Sequence, residues 1–212
     1  MLTDRKSPTV AKRRYRGTVQ AEVAELTRQR IFETVKALYL EHLMEDVTLK
    51  LIAERAGVTV QTILRHFESK EGLISAVTQY FRDEVRRQRN DAPVGDIAGT
   101  LNNLMEHYET VGQIALRMLA LEGHSPETDA SLKGGRSTHR QWVERVFAPF
   151  IARAEETDRE RLIAQLVTIC DVYTWKLLRL DAGLTREETE LAMVEMLTAL
   201  FEQKNLLTER ET

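Results

Sequence analysis

Gln61 and Arg65 stand four residues apart in the stretch Thr59-Val60-Gln61-Thr62-Ile63-Leu64-Arg65-His66. On a helix that spacing places both on one face, and both end in forked groups able to bond two atoms of one base edge in a DNA major groove. Thr59, Thr62 and His66 suit phosphate oxygens, which position a protein without reading sequence. Lys70 follows the cap Ser69 at a helix start, where the macrodipole disfavours a cation. A nearby phosphate accounts for that placement; an ordinary surface lysine is the other reading. Thr48 and Lys50 at the head of the preceding helix, with Val60 and Leu64 on the reader, complete the candidate DNA-contacting set.

Such side chains work only if two short helices hold them at a steep angle. Thr48 caps the first, in which Leu49, Ile52 and Ala53 face inward, and Ala53 is small where the helices approach. Gly57 ends it by taking a left-handed conformation at no Cβ cost. Thr59 caps the second, whose Val60, Ile63, Leu64 and Phe67 fall at i, i+3, i+4 and i+7. Val58 and Ile63 fill the wedge. These demands together point to a helix-turn-helix that binds DNA; a structural helical hairpin is the alternative. A helix from Ala24 to Leu43 precedes the pair, and one capped by Ser69 follows to about Asn90.

The run Val47-Thr48-Leu49…Ile52-Ala53…Ala56-Gly57-Val58-Thr59…Thr62-Ile63…His66-Phe67-Glu68-Ser69-Lys70-Glu71-Gly72-Leu73 resembles the DNA-binding domain of the TetR family of transcriptional regulators. The resemblance covers roughly residues 25–90. It implies an all-α fold, with an N-terminal three-helix helix-turn-helix domain and a C-terminal helical bundle that binds a ligand and dimerises. Leu64 stands where the family usually has a tyrosine reaching the DNA backbone, so Leu64 is expected to be buried or to meet a thymine methyl.

Charge divides the chain in the same sense. Six Lys or Arg against Asp4 leave residues 1–19 at +5, whereas residues 91–212 carry −8 within a total of −3. Residues 1–19 read as a disordered basic arm, either solvated or meeting a polyanion. Residues 20–90 form the DNA-binding domain and 91–212 the ligand-binding and dimerisation domain, parted by Asn90-Asp91-Ala92-Pro93-Val94-Gly95. In the second domain helices are expected at 96–109, 112–122, 138–155, 158–180 and 185–205, with a Gly/Ser/Pro-rich loop at 123–137. Pro149 should break the 138–155 helix near Val146.

The last two helices are apolar over more than one face. Leu162, Leu166, Ile169, Leu177, Val194, Leu197 and Phe201 are therefore candidates for a homodimer interface. A monomer with a larger core is the alternative. Met105, Tyr108, Met118, His124, Trp142, Phe147, Phe150, Tyr173 and Trp175 are candidates to line a pocket for a small, apolar effector, or simply to fill the core.

Catalysis finds no support. None of the five histidines has Glu three residues before it, as a di-metal helical bundle would need. No phosphate-cradling Gly-rich loop, nucleophile elbow or paired-cysteine metal motif is present, and Cys170 falls on an apolar helix face. No cofactor or metal is expected. Without a bilayer-length apolar run or a secretory h-region, the reading is a cytoplasmic protein with two partners besides its own copy: an operator in double-stranded DNA and a small-molecule effector.

Overall fold

The computed structural model describes the backbone of residues 9–42 and 46–207, and the side chains of residues 21–42, 46–126 and 128–207. The chain divides into two compact units, residues 1–82 and 83–212. The division falls eight residues before the one expected from the Pro/Gly-rich turn, inside a helix.

The first unit opens with α1, Thr9–Glu41. Residues 1–8 of the expected disordered arm lie outside the described residues, but 9–19 are helical. Ala11, Lys12, Arg13, Arg14 and Arg16 are strong helix formers, and they join a helix already nucleated by packing further along. Ile31, Phe32, Val35 and Leu38 bury one stripe of α1. Two short helices follow, α2 (Leu49–Ala56) and α3 (Val60–Phe67), then α4 (Lys70–Asn90). Ile52, Ala53, Ala56, Ile63, Phe67, Leu73 and Val77 join the α1 stripe in one core.

The second unit contains α5 (Ile97–Leu119), α6 (Pro126–Val146), α7 (Ala148–Arg153), α8 (Glu156–Ile169), α9 (Val172–Trp175) running into a π-helical stretch (Lys176–Asp181), and α10 (Arg186–Gln203). The helices expected at 96–109 and 112–122 are one, α5. The loop expected at 123–137 is mostly α6. Its Ser125 hydroxyl accepts from Thr128 N at 3.2 Å and Pro126 occupies the first turn, so residues that suggest a loop build a helix start.

The break after Val146 falls where Pro149 places it. The helix expected across 158–180 is split instead. Asp171 Oδ1 accepts from Tyr173 N at 2.9 Å, so a new helix starts at Val172, three residues after α8 ends at Ile169. Thr185 and Glu188 form a reciprocal capping box that starts α10.

Candidate nucleic-acid interface

Each of the two short helices begins on a threonine. Thr48 Oγ1 accepts from Leu51 N at 3.2 Å, and Thr59 Oγ1 accepts from Thr62 N at 3.1 Å. Between them Gly57 adopts φ 63° and its N–H closes back on Ala53 and Glu54 carbonyls. This left-handed residue reverses the chain within three positions, so α3 begins with its N-terminal turn in the open. Ile63 and Phe67 anchor α3 in the core while Val58 and Val60 are half-buried against it.

The opposite side of α3 carries Gln61, Leu64 and Arg65, all exposed. Leu64, at 37% exposure, is therefore not a core residue, and the thymine-methyl alternative is the one its position leaves open. Gln61 and Arg65 form no side-chain hydrogen bond or ion pair among the described residues, so their forked ends are uncommitted. Thr62 and His66 are half-buried, and Thr62 Oγ1 lies 2.9 Å from Thr59 Oγ1, each using one hydroxyl lone pair or hydrogen on the other. Lys50 is exposed and only loosely paired with Glu54 at 4.0 Å. Lys70 is half-buried at the first position of α4.

The joint between α3 and α4 is unusually short. Glu68 has φ 68° and ψ −42°, and Ser69 N donates to Phe67 O at 2.7 Å, closing a three-residue γ-turn. Glu68 N also donates to Leu64 O at 2.8 Å, and Ser69 Oγ accepts from Gly72 N at 2.9 Å. A Cβ on Gly72 would run into the Phe67 carbonyl, so glycine is what allows the first turn of α4 this close to the end of α3.

Two supporting contacts lie outside the expected set. Arg55 donates through both Nη atoms to the Glu41 carboxylate at 2.5 Å, tying α2 to the end of α1. The Arg28 guanidinium lies 5.4 Å from the Phe32 ring centroid and 5.0 Å from that of Phe67. The Arg28–Phe32 spacing of four was readable as a helical pair. The Arg55–Glu41 pair, separated by 14 residues, left no local signal.

A family model described as bacterial regulatory proteins, tetR family, matches residues 31–77. The HTH-type transcriptional regulator BetI of Escherichia coli O45:K1 (strain S88) is 30% identical over 142 residues, covering 66% of each chain. The chain belongs to the TetR family. The alignment spans slightly less than two thirds of that relative's length.

Similarity to solved structures extends over more of the chain. A transcriptional regulator from Rhodococcus sp. Rha1 superposes with a TM-score of 0.64 at 17% identity, covering 85% of this chain and 99% of that one. A TetR transcription regulator from Haloarcula marismortui gives 0.62 at 18%, covering 82% and 98%.

In the second unit of this TetR-family chain, several expected roles are redistributed. Leu162, Leu166, Leu197 and Phe201 are wholly buried in their own unit, so they are core residues with no surface to offer a second copy. Ile169 and Val194 are half-buried. Leu177 is 60% exposed, and other apolar side chains are also uncovered: Tyr173 and Leu180 on the same segment, Leu191 and Met196 on α10. The apolar excess of the last two helices thus divides between an internal core and a bare surface.

Of the expected pocket residues, Met105, Tyr108, Trp142, Phe147, Phe150 and Trp175 are buried in one core. Phe150 stacks on Phe201 at 4.2 Å, and Tyr108 packs on Trp175 at 5.7 Å. Met118 is half-buried, while His124 and Tyr173 are exposed. These residues therefore do not line one wall together. A polar cleft of about 510 Å³ lies elsewhere, among Arg153, Asp158, Arg161, Gln165 and Lys204. Among the described residues no helix is long and apolar enough to cross a membrane.

Proposed function

We propose that this chain is a homodimeric, DNA-binding transcriptional regulator, acting as a repressor that a small-molecule ligand releases from a near-palindromic operator. The observation that carries the reading is the uncommitted, exposed pair Gln61 and Arg65 on a short helix anchored by Ile63 and Phe67 and started by the Thr59 cap. Membership of the TetR family supports it. In this reading α3 enters the major groove. Gln61 and Arg65 take base edges and Leu64 meets a thymine methyl, while Thr48, Lys50, Thr59, Thr62, His66 and Lys70 hold phosphates and Val60 packs beside them. The exposed apolar side chains Tyr173, Leu177, Leu180, Leu191 and Met196 are the ones available for the dimer contact. Two-fold symmetry then requires half-sites whose centres lie about 34–36 Å apart, or a multiple of that. The ligand acts from the second unit, and it shifts the DNA equilibrium only by binding the two states with different affinity.

Selection of bound sequences from a random DNA pool tests the division of labour. Gln61→Ala or Arg65→Ala should relax preference at one position per half-site, at about 1–3 kcal/mol each. Lys70→Ala should weaken all sequences alike. An unchanged motif with both Gln61→Ala and Arg65→Ala would overturn the assignment.

A further inference from the structure

Arg89, on the last turn of α4, is only 8% exposed. A guanidinium cannot give up its proton at any ordinary pH, so burial leaves it a permanent charge. Buried arginines are otherwise paired with a carboxylate or phosphate. Arg89 forms no ion pair among the described residues, and its Nε–H has no acceptor. Nη2 lies 3.0 Å from His139 Nδ1, and the guanidinium lies over the Trp142 ring, 4.1 Å from its centroid.

Its neighbours are neutral or cationic. Arginine only donates, so His139 Nδ1 is the acceptor, and the ring proton sits on Nε2, which donates to Val167 O at 3.3 Å. Burial, reinforced by the Arg89 charge, lowers the His139 pKa to about 4 and holds that of His107 well below its ordinary value. Tyr108 O–H donates to Cys170 O at 2.7 Å, and burial raises its pKa; burial pushes the Cys170 thiol up to about 12. Arg145, whose Nη2 donates to Arg89 O at 2.7 Å, adds a second positive charge. Asp171 acts on Tyr108 and Cys170 through its field, but its Oδ1 caps Tyr173.

We propose that Arg89, framed by His139, Tyr108 and Trp142, is the anion-recognition element of the effector site, and that the effector is a small carboxylate on an apolar body. The inference rests on the reading that the second unit binds a regulatory ligand, and it names that ligand's class. A carboxylate arriving at the guanidinium replaces a hydrogen bond to a neutral imidazole with charge-assisted ones and supplies an acceptor for the orphaned Nε–H. The fork fits two carboxylate oxygens, and the aromatic and aliphatic core around it favours an apolar remainder.

The full chain is melted with benzoate and octanoate, and with benzamide and octanamide at equal concentration. The same series is run on Arg89→Met and Arg89→Lys, with operator affinity measured in parallel. At least one carboxylate should raise the melting temperature of the wild type where its amide does not. Arg89→Lys should keep a weaker response and Arg89→Met none. Freed of an unpaired buried charge, ligand-free Arg89→Met should melt about 2–4 °C above wild type.

The proposal is overturned if acids and amides stabilise equally, if neither acid acts, or if the response survives in Arg89→Met. It is also overturned if ligand-free Arg89→Met melts below wild type or fails to fold, since the guanidinium then serves the core. Arg89-dependent stabilisation by a carboxylate with unchanged operator affinity would uphold the anion site and remove ligand control from the proposed function.

Discussion

Replacing Gly72 by alanine sets two effects of opposite sign against each other. Within a helix, alanine is favoured over glycine by about 1 kcal/mol because the unfolded chain loses freedom. At Gly72, however, the new methyl would lie far inside the 3.0 Å that real Cβ atoms keep from their neighbours, and the atom it meets is the Phe67 carbonyl oxygen. That oxygen cannot swing aside as a side chain could, because it accepts the Ser69 N–H at 2.7 Å and belongs to the end of α3. Overpacking of this kind costs about 1–3 kcal/mol or more, so the clash outweighs propensity and the net effect is destabilising. At 4–8 °C per kcal/mol for a unit of this size, a separately resolved melting transition should fall by several degrees.

Gly134 and Gly135 provide the internal control. Both lie within α6, and a Cβ on either meets nothing within 4 Å. Gly134→Ala and Gly135→Ala should each raise stability by about 0.5–1 kcal/mol. Circular dichroism melts of the three variants, with operator binding by anisotropy, make the comparison. Gly72→Ala should lose operator affinity along with stability, because relief of the clash displaces α3. A Gly72→Ala protein as stable as wild type and binding the operator equally well would refute the reasoning.

Other outcomes follow from the second unit and from the Arg55–Glu41 pair. Tyr108→Phe leaves the Cys170 carbonyl without its buried donor, at about 1–3 kcal/mol, and should lower the melting temperature by several degrees. His139, whose pKa falls from 6.5 unfolded to about 4 folded, binds more proton when unfolded in that window. Stability should therefore fall as pH drops from about 6.5 to 4, and His139→Gln should flatten that limb in melts recorded against pH. Glu41, its pKa lowered mainly by the Arg55 hydrogen bonds, should lend stability above the ordinary carboxylate range that is lost as pH falls through its folded pKa, and Arg55→Ala should remove this dependence. Leu177→Glu or Leu191→Glu should yield folded monomers in sedimentation, whereas Leu166→Glu should not fold; dimers that persist in both surface variants would place the interface elsewhere.

The reader helices were legible because their requirements are local. A threonine cap, a left-handed glycine and an i, i+3, i+4, i+7 stripe each act within one or two turns, and they lie together in the sequence. The family match adds to the same segment. The second unit was harder to read because its decisive contacts are distant. Nothing near Leu162 or Leu197 announces that both are covered by their own chain, and helical periodicity alone cannot say which apolar face has a partner. Ser125-Pro126 reads as loop because the same residue types favour caps and loops, whereas the restart at Asp171 is hidden by an apolar stripe that reads as one helix across 158–180. Arg89 gave no signal at all: one more arginine in a run ending α4 looks like a surface charge until the fold closes over it.

The γ-turn at Glu68 also bears on how such a protein can diversify. A non-glycine residue at φ 68° carries backbone strain of order 1–3 kcal/mol, and the joint it forms has no spare residue to yield. An inserted or deleted residue there would have to unmake the Ser69-to-Phe67 and Gly72-to-Ser69 bonds together. The exposed positions 61, 64 and 65 are under no such restraint, because their side chains take no part in the core. New binding preferences are thus open to single-residue exchange on a fixed backbone and closed to changes in loop length. Over evolutionary time, substitutions should accumulate on that face of α3 while the length of the segment from Phe67 to Gly72 stays constant.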